Sequence, residues 1–331
     1  MNLIIFFTIF NLLLFFLSKK IILIYNVYDY PDHKRKIHKS KTSLSGGFFI
    51  YLNLLAIFIV YFLDNGVQAN FNNFFGSFIY FLIFFTFSTI FYIIGYLDDK
   101  LNLNANLKLL IFFILVTTLL SIDKGIIIHF VNFSFTESTF SIGRYNFIFT
   151  LICFLLFINA FNMYDGINLQ CGLYSLYLFL IFFIITDNIQ LFFPIIISLM
   201  IFLYLNFKNK VFLGNSGSLF LSFFISYVTI KIFNNNFELH SDQIFLLMIL
   251  PGVDMLRLFF IRIVNKKNPF KPDKQHLHHI LLNRYKYKKT ILISFCLAFI
   301  PFVLSFLVDS YVVIILFLLI YLSLIFTFQK Y

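Results

Sequence analysis

Two adjacent carboxylates, Asp98 and Asp99, close the apolar run FYIIGYLDDK at residues 91–100. Like charges side by side at the edge of an apolar segment are unfavourable unless a cation or a proton compensates them. Hard oxygen donors there suit Mg2+, an ion usually shared with substrate phosphates, or Mn2+ in its place. A solvated helix end is the plainer alternative. Lys108, further along, carries a charge that would either reach the same anion or snorkel to an interface. Asn159, Asn162 and Asp165 recur every third residue, which stacks them along one side of a helix end. Two amides in an apolar run need partners, from a ligand or from a neighbouring helix. The small residues of GNSGS, 214–218, suit either an ordinary turn or close approach of backbone to a phosphate at a helix start. His276, His278 and His279, beside Lys274, form a set of donors able to hold a diphosphate. Their spacing fits no usual zinc pattern, and Cys partners are absent.

The elements that must position these groups are apolar. Of 331 residues, 61% are hydrophobic, 22% aromatic and only 12% charged, and the mean hydropathy is +0.92. That composition excludes a soluble globular domain and describes an integral membrane protein. A helix spanning a bilayer needs about 20 mostly apolar residues, because its backbone must satisfy its own hydrogen bonds in lipid. Runs of suitable length lie near 2–17, 46–63, 74–96, 107–122, 146–163, 172–185, 189–205, 219–233, 243–264, 290–308 and 310–328. The expected fold is an all-α polytopic membrane protein with about eleven transmembrane helices. Pro194, Pro251 and Pro301 fall inside spans, where a neighbouring helix can cover the freed carbonyl.

Lys and Arg set the orientation. If the loop after the first span is cytoplasmic, nearly all basic loop residues lie on that side, and only Lys124, Arg144 and Lys231 lie opposite. The amino terminus is then outside and the carboxyl terminus inside. No basic residue precedes the first apolar run, while Lys19 and Lys20 follow it, so it reads as an anchor rather than a cleaved signal peptide. The net charge of +11 belongs mainly to the inner face, which should attract anionic membrane lipid and anionic substrates. Nucleic acid is not an expected partner. Cys153, Cys171 and Cys296 show no paired spacing and read as buried thiols. Asp64, Asp123, Glu137, Asp187, Glu238, Asp242 and Asp309 fall in outer polar loops and read as solvated charges.

The remaining acids, Asp29, Asp32, Asp98, Asp99, Asp165, Asp254 and Asp273, lie at or near the inner face. Polar clusters follow alternate spans there: DYPDHKRKIHKSKTSLSGG, GYLDDKLNLNANLKLL, NAFNMYDGINLQCG, VFLGNSGSLF and NPFKPDKQHLHH. They define cytoplasmic loops near 18–45, 97–107, 164–171, 206–218 and 265–289 of a single membrane domain covering 1–331. One site assembled from five loops explains this arrangement better than five unrelated turns. A secondary transporter would place ionisable groups near the midplane and often shows two related halves. Here only Asp254, Arg257 and Arg262 interrupt a span in that way, and no repeat is evident.

Taken together and in order, the five clusters resemble the polyprenyl-phosphate N-acetylhexosamine-1-phosphate transferases, over residues 29 to about 285. This family includes GlcNAc-1-phosphate transferases and phospho-MurNAc-pentapeptide translocases, and KPDKQHLHH is more similar to the former. The resemblance implies that undecaprenyl phosphate attacks the β-phosphorus of a UDP-N-acetylhexosamine and UMP leaves, initiating a lipid-linked cell-envelope glycan. Such transfer needs positioning and charge neutralisation more than covalent help. The resemblance further implies that Asp98 and Asp99 bind Mg2+ and orient or deprotonate the lipid phosphate, with Asn215 at the metal. It implies that Lys108, His276, His278 and His279 hold the diphosphate, and that Asn159, Asn162 and Asp165 contact the nucleotide and metal region. Phe212 would stack on uracil, and Lys34, Arg35, Lys36 and His38 would attract the lipid phosphate.

Two departures stand out. Asn215 occupies a position where the family usually has a metal-binding Asp, and an amide oxygen can coordinate Mg2+ but brings no charge. Asn168 stands where many relatives have another Asp. An active enzyme is expected, since the other acids and basic groups are present. The alternatives are a translocase taking UDP-MurNAc-pentapeptide and a non-catalytic protein that binds lipid or UDP-sugar. A two-fold homodimer is the default assembly.

Overall fold

A computed structural model describes residues 3–31, 41–235, 239–266 and 275–328. Its helices are α1 (Leu3–Phe16), α2 (Ser18–Tyr25), α3 (Gly46–Leu63), α4 (Asn65–Phe75), α5 (Phe78–Leu101), α6 (Ala105–Ile122), α7 (Asn146–Tyr164), α8 (Gln170–Thr186), α9 (Ile189–Phe207), α10 (Gly214–Asn234), α11 (Ser241–Val264), α12 (Leu277–Arg284), α13 (Tyr287–Leu304) and α14 (Ser310–Phe328). Among the described residues strand is confined to two short antiparallel pairs, β1 (Tyr28–Asp29) with β2 (Thr42–Ser43) and β3 (Phe130–Asn132) with β4 (Thr139–Ser141).

Among the described residues nine helices are long and apolar enough to cross a bilayer, and the pair α1 and α2, bent by 66°, makes a tenth if it is one span. The shorter α8 is apolar as well. Each of the eleven apolar runs in the sequence coincides with one of these helices. The protein is therefore an all-α polytopic membrane protein. Its outward faces carry large apolar side chains such as Ile24, Leu63 and Val264, each about four-fifths exposed, while Asn11, Asn53 and Ser222 are buried. That inversion suits a molecule whose surface meets lipid.

Three helices begin where a side-chain oxygen takes orphan N–H groups of the first turn. Asp64 accepts from Gly66 and Val67 at α4, Asn104 from Asn106 at α6, and Asn188 from Leu191 at α9. The amphipathic α4 is not among the apolar runs, because Asn65, Gln68, Asn70, Asn72 and Asn73 break the hydropathy. Its buried Val67, Phe71, Phe74 and Phe75 nevertheless keep helical spacing.

The chain divides into two units, Met1–Leu103 with Cys171–Ile225, and Asn104–Gln170 with Ser226–Tyr331. In the first, α3 packs on α9 and α5, and α1 packs on α9. Asn11 and Asn53 exchange amide hydrogen bonds of 2.7 and 3.1 Å between α1 and α3. Phe91 stacks on Phe223 with centroids 4.7 Å apart. In the second unit α11 is central, packed on α7, α13 and α14.

Two acids expected in solvated outer loops are instead buried. Asp123 is fully enclosed, accepting from the Tyr227 hydroxyl at 2.5 Å and from Gly125 N–H at 3.0 Å. Asp242, also buried, accepts from the backbone and hydroxyl of Ser134. Both carboxylates satisfy donors from segments distant in sequence, a use that position in a polar loop does not reveal.

Candidate functional site

The first unit interlocks three of the five polar clusters. Phe212 N–H donates to Ser43 carbonyl at 2.7 Å, Gly46 N–H to Phe212 carbonyl at 2.9 Å, and Gly47 N–H to Leu213 carbonyl at 3.0 Å. The start of α3 is thus sewn to the segment leading into α10. Contact is backbone to backbone: a Cβ on Gly47 would lie 2.3 Å from Gly217 Cα.

Into this junction α5 brings its carboxylates. Asp99 accepts from Asn215 N–H at 2.8 Å and from Ser216 N–H at 3.0 Å, one on each oxygen. Asp98, 2% exposed, accepts from Leu103 N–H at 2.9 Å. Negative charge at the C-terminal end of α5 opposes that helix's dipole, and for Asp99 the N-terminus of α10 supplies the opposite end. The first turn of α10, a candidate phosphate cradle by sequence, therefore spends these two N–H groups on Asp99. Gly214 makes the approach feasible with φ +74°, and a Cβ there would come within 2.8 Å of Asp99 Oδ2. The Tyr25 hydroxyl donates to Ser216 Oγ at 3.0 Å.

Asp98, Asp99 and Asn215 all belong to this unit, and their side-chain oxygens are of the hard donor type that Mg2+ takes. Among the described residues no group of three or more His, Cys, Asp or Glu side chains gathers to enclose an ion. The Ser216 side chain adds a further hydrogen bond to the Asp99 carboxylate. Phe212 is half-buried beside these residues, with both of its peptide groups engaged.

The second unit brings together the other two clusters. At the end of α7, Asn159 donates to the Leu155 carbonyl of its own helix at 2.7 Å, while Asn162 and Asp165 are half-buried. Asp165 caps α7 at the C-terminus, and Gly166 turns the chain away. The Asn168 carbonyl accepts from Tyr287 hydroxyl at 2.5 Å, tying this loop to the start of α13. Lys108 lies in the first turns of α6, half-buried.

His276 and His278 are buried, with rings parallel within 5° and centroids 5.5 Å apart, and His279 lies 4.3 Å from His278. Burial holds the His278 imidazole well below its ordinary pKa, and the neighbouring His279 and His276 push it the same way. Its Nε2 has no hydrogen-bond partner among the described residues and points at the Asp165–Gly166 turn. A Cβ on Gly166 would lie 2.0 Å from that nitrogen. Gly166→Ala is therefore expected to lower stability by about 1–3 kcal/mol through overpacking. A lower unfolding temperature of the purified protein checks it, and adding His278→Ala should recover most of the loss.

Sequence reasoning passed over the groups that hold the histidines. Asp254 on α11 accepts from His276 Nδ1 at 2.7 Å, Tyr321 hydroxyl at 2.7 Å, Leu277 N–H at 3.1 Å and Arg257 at 3.1 Å. The charges of Asp254 and Arg257 inside an apolar span were a signal, whereas Tyr321 in an apolar run gave none. Lys34, Arg35, Lys36, His38, Asp273 and Lys274 lie outside the described residues.

Residues 81–233 match the family described as Glycosyl transferase family 4. The chain is similar to the undecaprenyl-phosphate alpha-N-acetylglucosaminyl 1-phosphate transferase of Thermotoga maritima, 31% identical over 281 residues, covering 82% of this chain and 79% of that protein. Proteins of the same name from Yersinia pestis and Escherichia coli O157:H7 are 22% and 23% identical, each over 83% of this chain and 74% of the relative.

Proposed function

Because the chain belongs to glycosyl transferase family 4, among the polyprenyl-phosphate N-acetylhexosamine-1-phosphate transferases, we propose that it transfers N-acetylglucosamine 1-phosphate, or the phosphate of a related N-acetylhexosamine, from a UDP-sugar to undecaprenyl phosphate. An oxygen of the lipid phosphate attacks the β-phosphorus of the donor. The bond from that phosphorus to the UMP oxygen breaks, and the lipid diphosphate sugar and UMP form. The protein is a transferase and a multi-pass membrane protein. Its amino terminus is outside and its site faces the cytoplasm across the bacterial inner membrane, a reading supported by the Lys and Arg excess of those loops.

The observation that carries this reading is the interlocking of the polar clusters. Residues 42–47, 211–217 and Asp99 mesh in one unit, and residues 165–168 mesh with the histidine segment in the other. Solvated turns would have no reason to do so. Asp98 and Asp99, with Asn215, would hold Mg2+, which when bound neutralises phosphate charge. Asp99, held by two N–H groups, orients the attacking lipid phosphate. Lys108, His276, His278 and His279 bind the diphosphate, Asn159, Asn162 and Asp165 the nucleotide, and Phe212 the uracil.

The deciding assay supplies the protein, in membranes, with undecaprenyl phosphate, UDP-GlcNAc and Mg2+, and follows UMP and the glycolipid. Formation of both is expected, with loss on chelation. Binding of UDP-GlcNAc without UMP release would overturn the catalytic reading, and preference for UDP-MurNAc-pentapeptide would move the chain to the translocase branch. Asn215→Asp should raise Mg2+ affinity without loss of turnover. Cross-linking in the same membranes tests the homodimer.

A further inference from the structure

The histidine segment is held by a buried assembly on α11 and α14. Asp254 is 3% exposed and is met by four donors: His276 Nδ1, the Tyr321 hydroxyl, Leu277 N–H and the Arg257 guanidinium. Arg257 adds two bonds of its own, Nε to the Tyr321 oxygen at 2.7 Å and Nη2 to the Gln275 carbonyl at 2.6 Å. Asp254 and Arg257 thus grip the peptide groups on both sides of His276, at Gln275 and Leu277, while the carboxylate grips its ring. A carboxylate surrounded by donors acts only as acceptor, so Nδ1 must carry the proton. The nitrogen left for other chemistry is Nε2. His278 is placed differently: its Nε2 is buried against Gly166 with no hydrogen-bond partner among the described residues, and burial holds its imidazole neutral.

We infer that Asp254, with Tyr321 and Arg257, is a positioning residue that fixes the tautomer and orientation of His276, so that His276 Nε2 acts on the transferring diphosphate and the three histidines are not equivalent. This rests on the transferase reading above. Fixing a ring by a carboxylate on its far nitrogen saves the reorganisation that a free imidazole needs when charge develops on the phosphate oxygens.

The test is a double-mutant cycle in the full-length protein, reconstituted with undecaprenyl phosphate, UDP-GlcNAc and Mg2+ and carrying 15N-labelled histidine. Asp254→Asn is expected to lower kcat roughly 10- to 100-fold, as for partners that orient a functional imidazole, with little change in KM for the donor. In a His276→Asn background the same change should cost no more than about twofold. Equal losses in both backgrounds would mean that Asp254 serves the fold alone, and the inference falls. Tyr321→Phe, which keeps the ring in the core, should show the same coupling at smaller size and serves if Asp254→Asn does not fold. The 15N spectrum should show His276 protonated at Nδ1, and an Nε2-only proton overturns the proposal. If the wild type forms no glycolipid, the transferase reading fails, and the spectrum by itself decides the His276 pairing.

Discussion

Asp99→Asn is expected to reduce sugar-phosphate transfer by about a hundredfold or more, on the scale of losing one preorganised electrostatic group at a reacting phosphate. The substitution is nearly isosteric, so shape is not the reason. Asp99 offers one oxygen to Asn215 N–H and the other to Ser216 N–H. An amide keeps only one acceptor and sets an NH2 donor against the second N–H. It also removes the charge that faces the positive end of α10, and that would serve a metal ion and the lipid phosphate. Leaving a buried N–H unpaired costs about 1–3 kcal/mol, so a fall in unfolding temperature should accompany the lost turnover. UMP release at the wild-type rate by the purified variant would contradict the assigned role. Loss of turnover at unchanged stability would still fit it, with the charge then the larger effect.

Gly95→Ala should be nearly as damaging, although it adds one methyl group and touches no charge. A Cβ at residue 95 would lie 2.3 Å from the Asn215 carbonyl oxygen and 2.5 Å from Ser216 Cα. Both are backbone atoms, so no side chain can rotate aside and α5 must move off the start of α10. Gly95 sits one turn before Asp99, and that shift separates the carboxylate from the N–H groups of Asn215 and Ser216. We expect about 1–3 kcal/mol of destabilisation from overpacking and at least a tenfold loss of transfer. The control is Gly252→Ala in α11, where a Cβ would meet nothing within 4 Å. Thermal unfolding and UMP release measured on both variants decide the matter: equal effects would show that the tight approach at Gly95 has no consequence.

Much of this was legible in the chain. Apolar runs long enough to cross a bilayer leave their backbones little choice but helix, which is why the eleven runs and the helices coincide. Helices α2, α4 and α12 fall outside those runs, and in α4 the asparagines masked a spacing that the buried Val67, Phe71, Phe74 and Phe75 reveal. The polar clusters could be picked out because charge and amide groups are costly in such surroundings and rarely kept without a use. Asp98, Asp99, Asp165 and the histidines were therefore visible as candidates. The same cost argument placed Asp123 and Asp242 in water, since a residue in a polar loop gives no hint that a hydroxyl or N–H from a distant segment will reach it.

Composition, hydropathy and motif order by themselves determined the class, the helices and the residues worth asking about, because each rests on local cost: apolar surface in water, or polar groups in lipid. Which donor meets which acceptor was decided only by tertiary structure. That Asp99 is bound to the start of α10, that Gly166 lies against His278, and that Asp254 and Tyr321 hold His276 all join residues far apart in sequence. Hydrogen bonds are short-ranged and directional, so such pairings exist only once the helices have packed.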